Sequence, residues 1–80
     1  MQMIAHFAAP DRTAFRAEFN ADAENRGQAG LSLLQMWHDA DDPGLTLCLF
    51  QVNDRTRAQD WITRARAMHD LTDSRFLTTA

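Results

Sequence analysis

"LSLLQMWHDADDPGLTLCLFQV", residues 31–52, holds two apolar runs of strand length on either side of an acidic joint that contains proline and glycine. Apolar runs this long, bounded by turn residues, read as strands, and one short polar joint between them makes a hairpin. The joint admits two chemistries. Asp39, Asp41 and Gly44 match positions 1, 3 and 6 of a calcium loop, but position 5 is Pro43, and position 12, where a bidentate glutamate belongs, is Phe50 of the second run. Asp, Pro and Gly are also what a hairpin connection needs, giving side-chain caps, a fixed φ and access to positive φ. The joint is therefore expected to be a turn, with no metal.

Neither face of the hairpin is polar. Leu31, Leu33, Gln35 and Trp37 alternate with Ser32, Leu34, Met36 and His38, and Leu45, Leu47 and Leu49 alternate with Cys48, Phe50 and Val52. An antiparallel sheet with one wet face alternates cleanly between apolar and polar. Apolar residues on both sides call for a cover on both. Helices can supply one, and with the rest of the chain spent on other elements, a second copy of the chain is the expected cover for the other.

Outward from the hairpin, "MQMIAHF" (1–7) reads as a strand, and Pro10 and Asp11 are favourable helix-start residues. From Asp11 to about Arg26, Phe15, Phe19 and Ala23 recur every fourth residue and predict a narrow buried stripe, ended by Gly27 and Gly30. Beyond the hairpin, Asn53 or Asp54 can cap a second helix whose Ala58, Trp61, Ile62, Ala65 and Met68 share one face at about 100° per residue. "SRFLTTA" (74–80) closes the chain as a last strand. The order β-α-β-β-α-β predicts one ferredoxin-like α+β domain over residues 1–80, with a four-stranded antiparallel sheet and two helices on one face.

Composition narrows the function classes. A core built from 80 residues rarely supplies more than about 3–5 kcal/mol unaided, which again favours a partner subunit. Cys48 is alone, so no internal disulfide forms, and its place in "LTLCLF" reads as a buried apolar residue in a reducing compartment. The start has no basic segment and no run reaches membrane-span length, so a cytoplasmic protein without a membrane partner is expected. A formal charge of −3, no lysine and no tyrosine argue against a nucleic-acid surface. There is no nucleophile elbow, phosphate loop or Cys/His dyad spacing.

Several residues are candidates for binding or chemistry. His6 and His38 fall at the same end of parallel first and second strands, about 10 Å apart, and share a face only if no bulge intervenes. They lack the further ligands of a closed zinc site. His69 lies within the second helix's apolar arc, as a helix-end cap or as a pocket residue. Asp22 and Arg26, four apart, form either a surface bridge or a site where Arg26 holds an anionic group.

The helix with Phe15 and Phe19 ending in "RGQAGL", then "QMWHDADDPG", a strand, "VNDRTRAQDWI" and a last short strand together resemble the small dimeric α+β-barrel proteins related to antibiotic-biosynthesis monooxygenases, some of whose uncharacterised members carry a "cyclase" label. The resemblance runs over essentially the whole chain. It implies a homodimer whose two sheets pack face to face, on a fold that hosts several chemistries. In the haem-degrading branch the second helix carries a tryptophan and, further on, a histidine iron ligand, with an asparagine on the first strand. Trp61 and His69 echo that pair at a shorter spacing, and the first strand has His6 and no asparagine.

Two functions follow as expectations. One is a binding or accessory module for a small apolar ligand, without a cofactor. The other is a cofactor-independent monooxygenase, or an isomerase or cyclase, acting on an aromatic or polyketide-like compound, with His6, His38 or His69 as general base and Trp37 or Trp61 against the substrate. The candidate ligand-binding residues are His6, Arg26, Trp37, His38, Trp61 and His69.

Overall fold

The structure, a computed structural model, describes residues 1–80. The elements are β1 (Gln2–Ala8), α1 (Arg12–Ala21), α2 (Ala23–Gln28), β2 (Leu31–His38), β3 (Leu45–Val52), α3 (Arg55–Met68) and β4 (Leu71–Leu77). The strands form one antiparallel sheet in the order β2-β3-β1-β4. This is the ferredoxin-like α+β arrangement expected from the element order.

The side chains of β1 and β3 divide by alternation. Met3, Ala5 and Phe7 of β1 and Thr46, Cys48, Phe50 and Val52 of β3 are buried beneath the helices. There they meet Phe15 and Phe19 of α1 and Ala58, Trp61, Ile62 and Ala65 of α3. Phe7 packs on Phe15 at 5.3 Å between ring centres, Phe50 on Trp61 at 5.9 Å and Phe50 on Phe19 at 6.3 Å. Each such ring contributes about 1.5–3 kcal/mol by leaving water. Both long helices start at a capping carboxylate: Asp11 accepts from the Ala14 N–H at 3.0 Å and Asp54 from the Arg57 N–H at 3.1 Å.

The helical layer departs from expectation in three ways. The first helix is not continuous to Arg26 but breaks at Asp22, because the Arg26 guanidinium donates to the Phe19 carbonyl that the next turn would have used. Ala23, beyond the break, is exposed and outside the buried stripe. Met68, expected on the buried face of α3, is 71% exposed at the helix's last residue, where the chain leaves for β4. Gly27 lies inside α2, and the chain turns at Gly30, where φ is +73° and a Cβ would stand 3.2 Å from the Asp54 nitrogen.

The acidic joint is a turn. Asp39 Oδ1 accepts from the backbone N–H of Asp41 at 2.9 Å and of Asp42 at 2.8 Å, and Asp42 Oδ1 from that of Gly44 at 3.0 Å. The last strand starts at Leu71, earlier than residue 74, since Asp70 takes a left-handed φ of 57° and turns the chain from α3 straight into the sheet.

Candidate functional site

The register of the two edge strands decides which candidate residues meet. In β2 the pairing with β3 shifts between Leu33 and Gln35, leaving Leu34 as the extra residue of a bulge. Were Leu34 paired in a regular ladder, Trp37 would sit opposite Thr46, on the helix side. With Leu34 skipped, Trp37 pairs with Leu47 on the other face and His38 pairs with Thr46. His38 Nδ1 lies 3.1 Å from Thr46 Oγ1. In β4 a second irregularity sets Asp73 opposite His6 and leaves Thr72 between the paired positions. His6 in turn pairs with Leu47. Asp73, His6, Leu47 and Trp37 thus form one row across the face opposite the helices.

His6 and His38 therefore do not converge, since the β2 bulge puts them on opposite faces of the sheet. Trp37, 44% exposed, shares the open face with His6. Around them lie Ile4, Leu45, Leu49 and Leu77, with Asp73 and Arg75 on the edge strand. All three helices pack on the other side, so this apolar face has no cover within the chain.

A second constellation lies in the helical layer. The break at Asp22 turns its carboxylate toward α3, where Oδ2 accepts from the Trp61 indole N–H at 3.0 Å. Oδ1 accepts from Asn25 Nδ2 at 2.8 Å and stands 3.8 Å from His69 Nε2. Arg26 Nη1 is 4.0 Å from Oδ2. The Arg26 guanidinium is buried over the Phe19 ring, 3.6 Å from its centre, and burial lowers its pKa while Asp22 opposes that shift. Its charge is thus held inside by Phe19 and Asp22. His69 closes α3, its N–H bonded to the Ala65 carbonyl, and its ring edges small clefts on both sides.

Of the candidates read from sequence, Arg26, Trp61 and His69 come together around Asp22, His6 and Trp37 share the open face, and His38 stands apart. Trp61 is 97% buried and belongs mainly to the core, with one edge on a cleft. Asp73 had no signal in the sequence, because the β4 bulge alone decides its face. Burial pushes the Cys48 thiol up to about 12, well away from nucleophile chemistry. No three His, Cys, Asp or Glu side chains group to hold a metal ion, and no helix is long and apolar enough to cross a membrane.

What fold and site define is a ferredoxin-like α+β domain with an uncovered apolar sheet face. No protein-family model matches the chain, and no curated protein matches it.

Proposed function

We infer that the protein works as a homodimer whose two sheets pack face to face, enclosing between them a space for a small, largely apolar ligand. The observation that carries this reading is the register, which gathers Ile4, Leu45, Leu47, Leu49, Leu77 and Trp37 on a face with no cover. The occupant is a second copy because the face is self-complementary. It carries one acid, Asp73, and one base, Arg75, two residues apart on an edge strand, so a two-fold axis can set each against its opposite. Four strands of seven or eight residues span about 19 × 25 Å in projection. With side-chain relief and edge contacts, this approaches the roughly 800 Å² per partner of a standard interface. The ligand belongs between the sheets because aromatic rings fill the space between sheet and helices.

A second reading, a cofactor-independent monooxygenase or isomerase, is favoured by one observation: His6 shares that face with Trp37, giving a general base and an aromatic wall in one row. Replacing Leu47 at the row's centre by Asp tests the shared premise. The chain should stay folded, because the helix-side core is untouched, and should become monomeric and lose any co-purifying apolar molecule. A dimer that survives the substitution refutes both readings.

A further inference from the structure

α3 breaks a rule of helix electrostatics at its start. Its first turn holds Arg55 and Arg57 and no acid, where the helix dipole favours anions and disfavours cations. Arg55 has a structural reason, since its guanidinium lies 4.5 Å from the centre of the Phe76 ring. Arg57 has only a loose, largely exposed pairing with Asp54 at 3.7 Å. Arg64, two turns on, has no carboxylate within 4.0 Å. A local rule broken without structural compensation points to function.

Arg57 and Arg64 line one cleft of about 240 Å³ between α2 and α3, with Asn25 and Gln28 on the opposite wall and Asp60 as the single carboxylate. Arg64 also lines the neighbouring cleft of about 110 Å³, which continues along α3 past Trp61 and Ala65 to the exposed Met68, with Asp22 and His69 on its inner wall. The two clefts share Asn25 and Arg64 and form one groove, with the two arginines and the carboxamides at one end and, at the other, Trp61, Ala65 and Met68 beside the Asp22–His69 pair. From Arg64 to Met68 is about 6 Å along the helix axis, the reach of one aromatic ring or short acyl chain beyond an anionic group.

We propose that this groove between α2 and α3 binds a small organic anion, its carboxylate or phosphate held by Arg57 and Arg64 and its apolar part lying against Ala65 and Met68. Planar guanidinium forks match both oxyanions, and the carboxamides of Asn25 and Gln28 add neutral donors. The positive end of α3 adds to the attraction at the Arg57 end. The site lies on the helical layer, away from the open sheet face, and does not depend on dimerisation.

Titrating the wild-type protein with phenyl phosphate, inorganic phosphate and phenol, followed by backbone amide NMR shifts, tests the assignment. Phenyl phosphate should perturb residues near Gln28, Asp60 and Arg64, bind roughly tenfold tighter than inorganic phosphate, and far outbind phenol. Arg64→Gln should weaken it about tenfold or more, and Met68→Gln should erase its advantage over inorganic phosphate. Both positions face solvent on α3, so both variants keep the fold, which the same spectra verify. Phenol binding as well as phenyl phosphate, an Arg64→Gln protein that binds unchanged, shifts spread over all eight arginines, or no saturable binding would each overturn the proposal.

Discussion

The indole N–H of Trp61 donates to Asp22 across 39 residues of sequence, tying the middle of α3 to the break between α1 and α2. The same carboxylate lies beside the buried Arg26 and the His69 ring. Asp22→Ala strips the Trp61 indole of its acceptor and the buried Arg26 of its neighbouring carboxylate and should cost about 2–3 kcal/mol, whereas Trp61→Phe, which removes one donor and keeps most of the ring, should cost about 1–2 kcal/mol. Urea unfolding of the two variants measures both. Equal, near-zero losses would show that the cluster is a surface decoration.

The β2 bulge makes a sharper claim. Deleting Leu34 removes the extra residue, so Leu33 and Gln35 become consecutive opposite Phe50 and Leu49, and Trp37 and His38 should keep their faces and partners on β3. Leu34→Ala keeps the register, and at this exposed position it should stay within about 0.5 kcal/mol of wild type. The deletion should likewise keep the His38–Thr46 contact, which the His38 ring resonances report. A deletion protein that loses this contact would mean that Leu34 is not the residue that β3 skips.

Fold and site were unequally legible in the sequence. The hairpin, the α3 stripe of Ala58, Trp61, Ile62 and Ala65, and the strand order could be read because period-two and period-3.6 patterns are local. The break at Asp22 could not, because it depends on Arg26 reaching back to the Phe19 carbonyl. His6 and His38 looked like a pair because nothing in "LSLLQMWH" marks Leu34 as the residue that β3 will skip. Asp73 beside His6 is a consequence of a second such skip. Single-residue register choices are made by tertiary pairing, and they decide which face a functional side chain occupies.

At the turn, the N–H groups of Asp41 and Asp42 hold the Asp39 carboxyl below its ordinary pKa. A depressed folded pKa contributes stability that is fully present above the unfolded-state pKa and lost as pH falls through the folded value. Asp39→Ala should therefore be less stable than wild type at neutral pH and converge with it in acid, as parallel melts over a pH series will read. Calcium or chelator should move neither curve, and a rise of several degrees with calcium would contradict the turn assignment.

Cys48 is fully buried and its thiol is pushed up to about 12 by desolvation. A thiol-labelling reagent at neutral pH should then react only as fast as the protein opens, and urea should raise the rate in step with unfolding. Rapid labelling of native protein would place the sulfur outside the core.

The central claim is that the open face carrying Ile4, His6, Trp37 and Leu47 is closed by a second copy of the chain. Sedimentation equilibrium of wild type beside Leu47→Asp at micromolar concentration tests it most directly. The account predicts twice the chain mass for the wild type and a folded species of single chain mass for the variant, while a wild-type protein sedimenting as a stable monomer would contradict it.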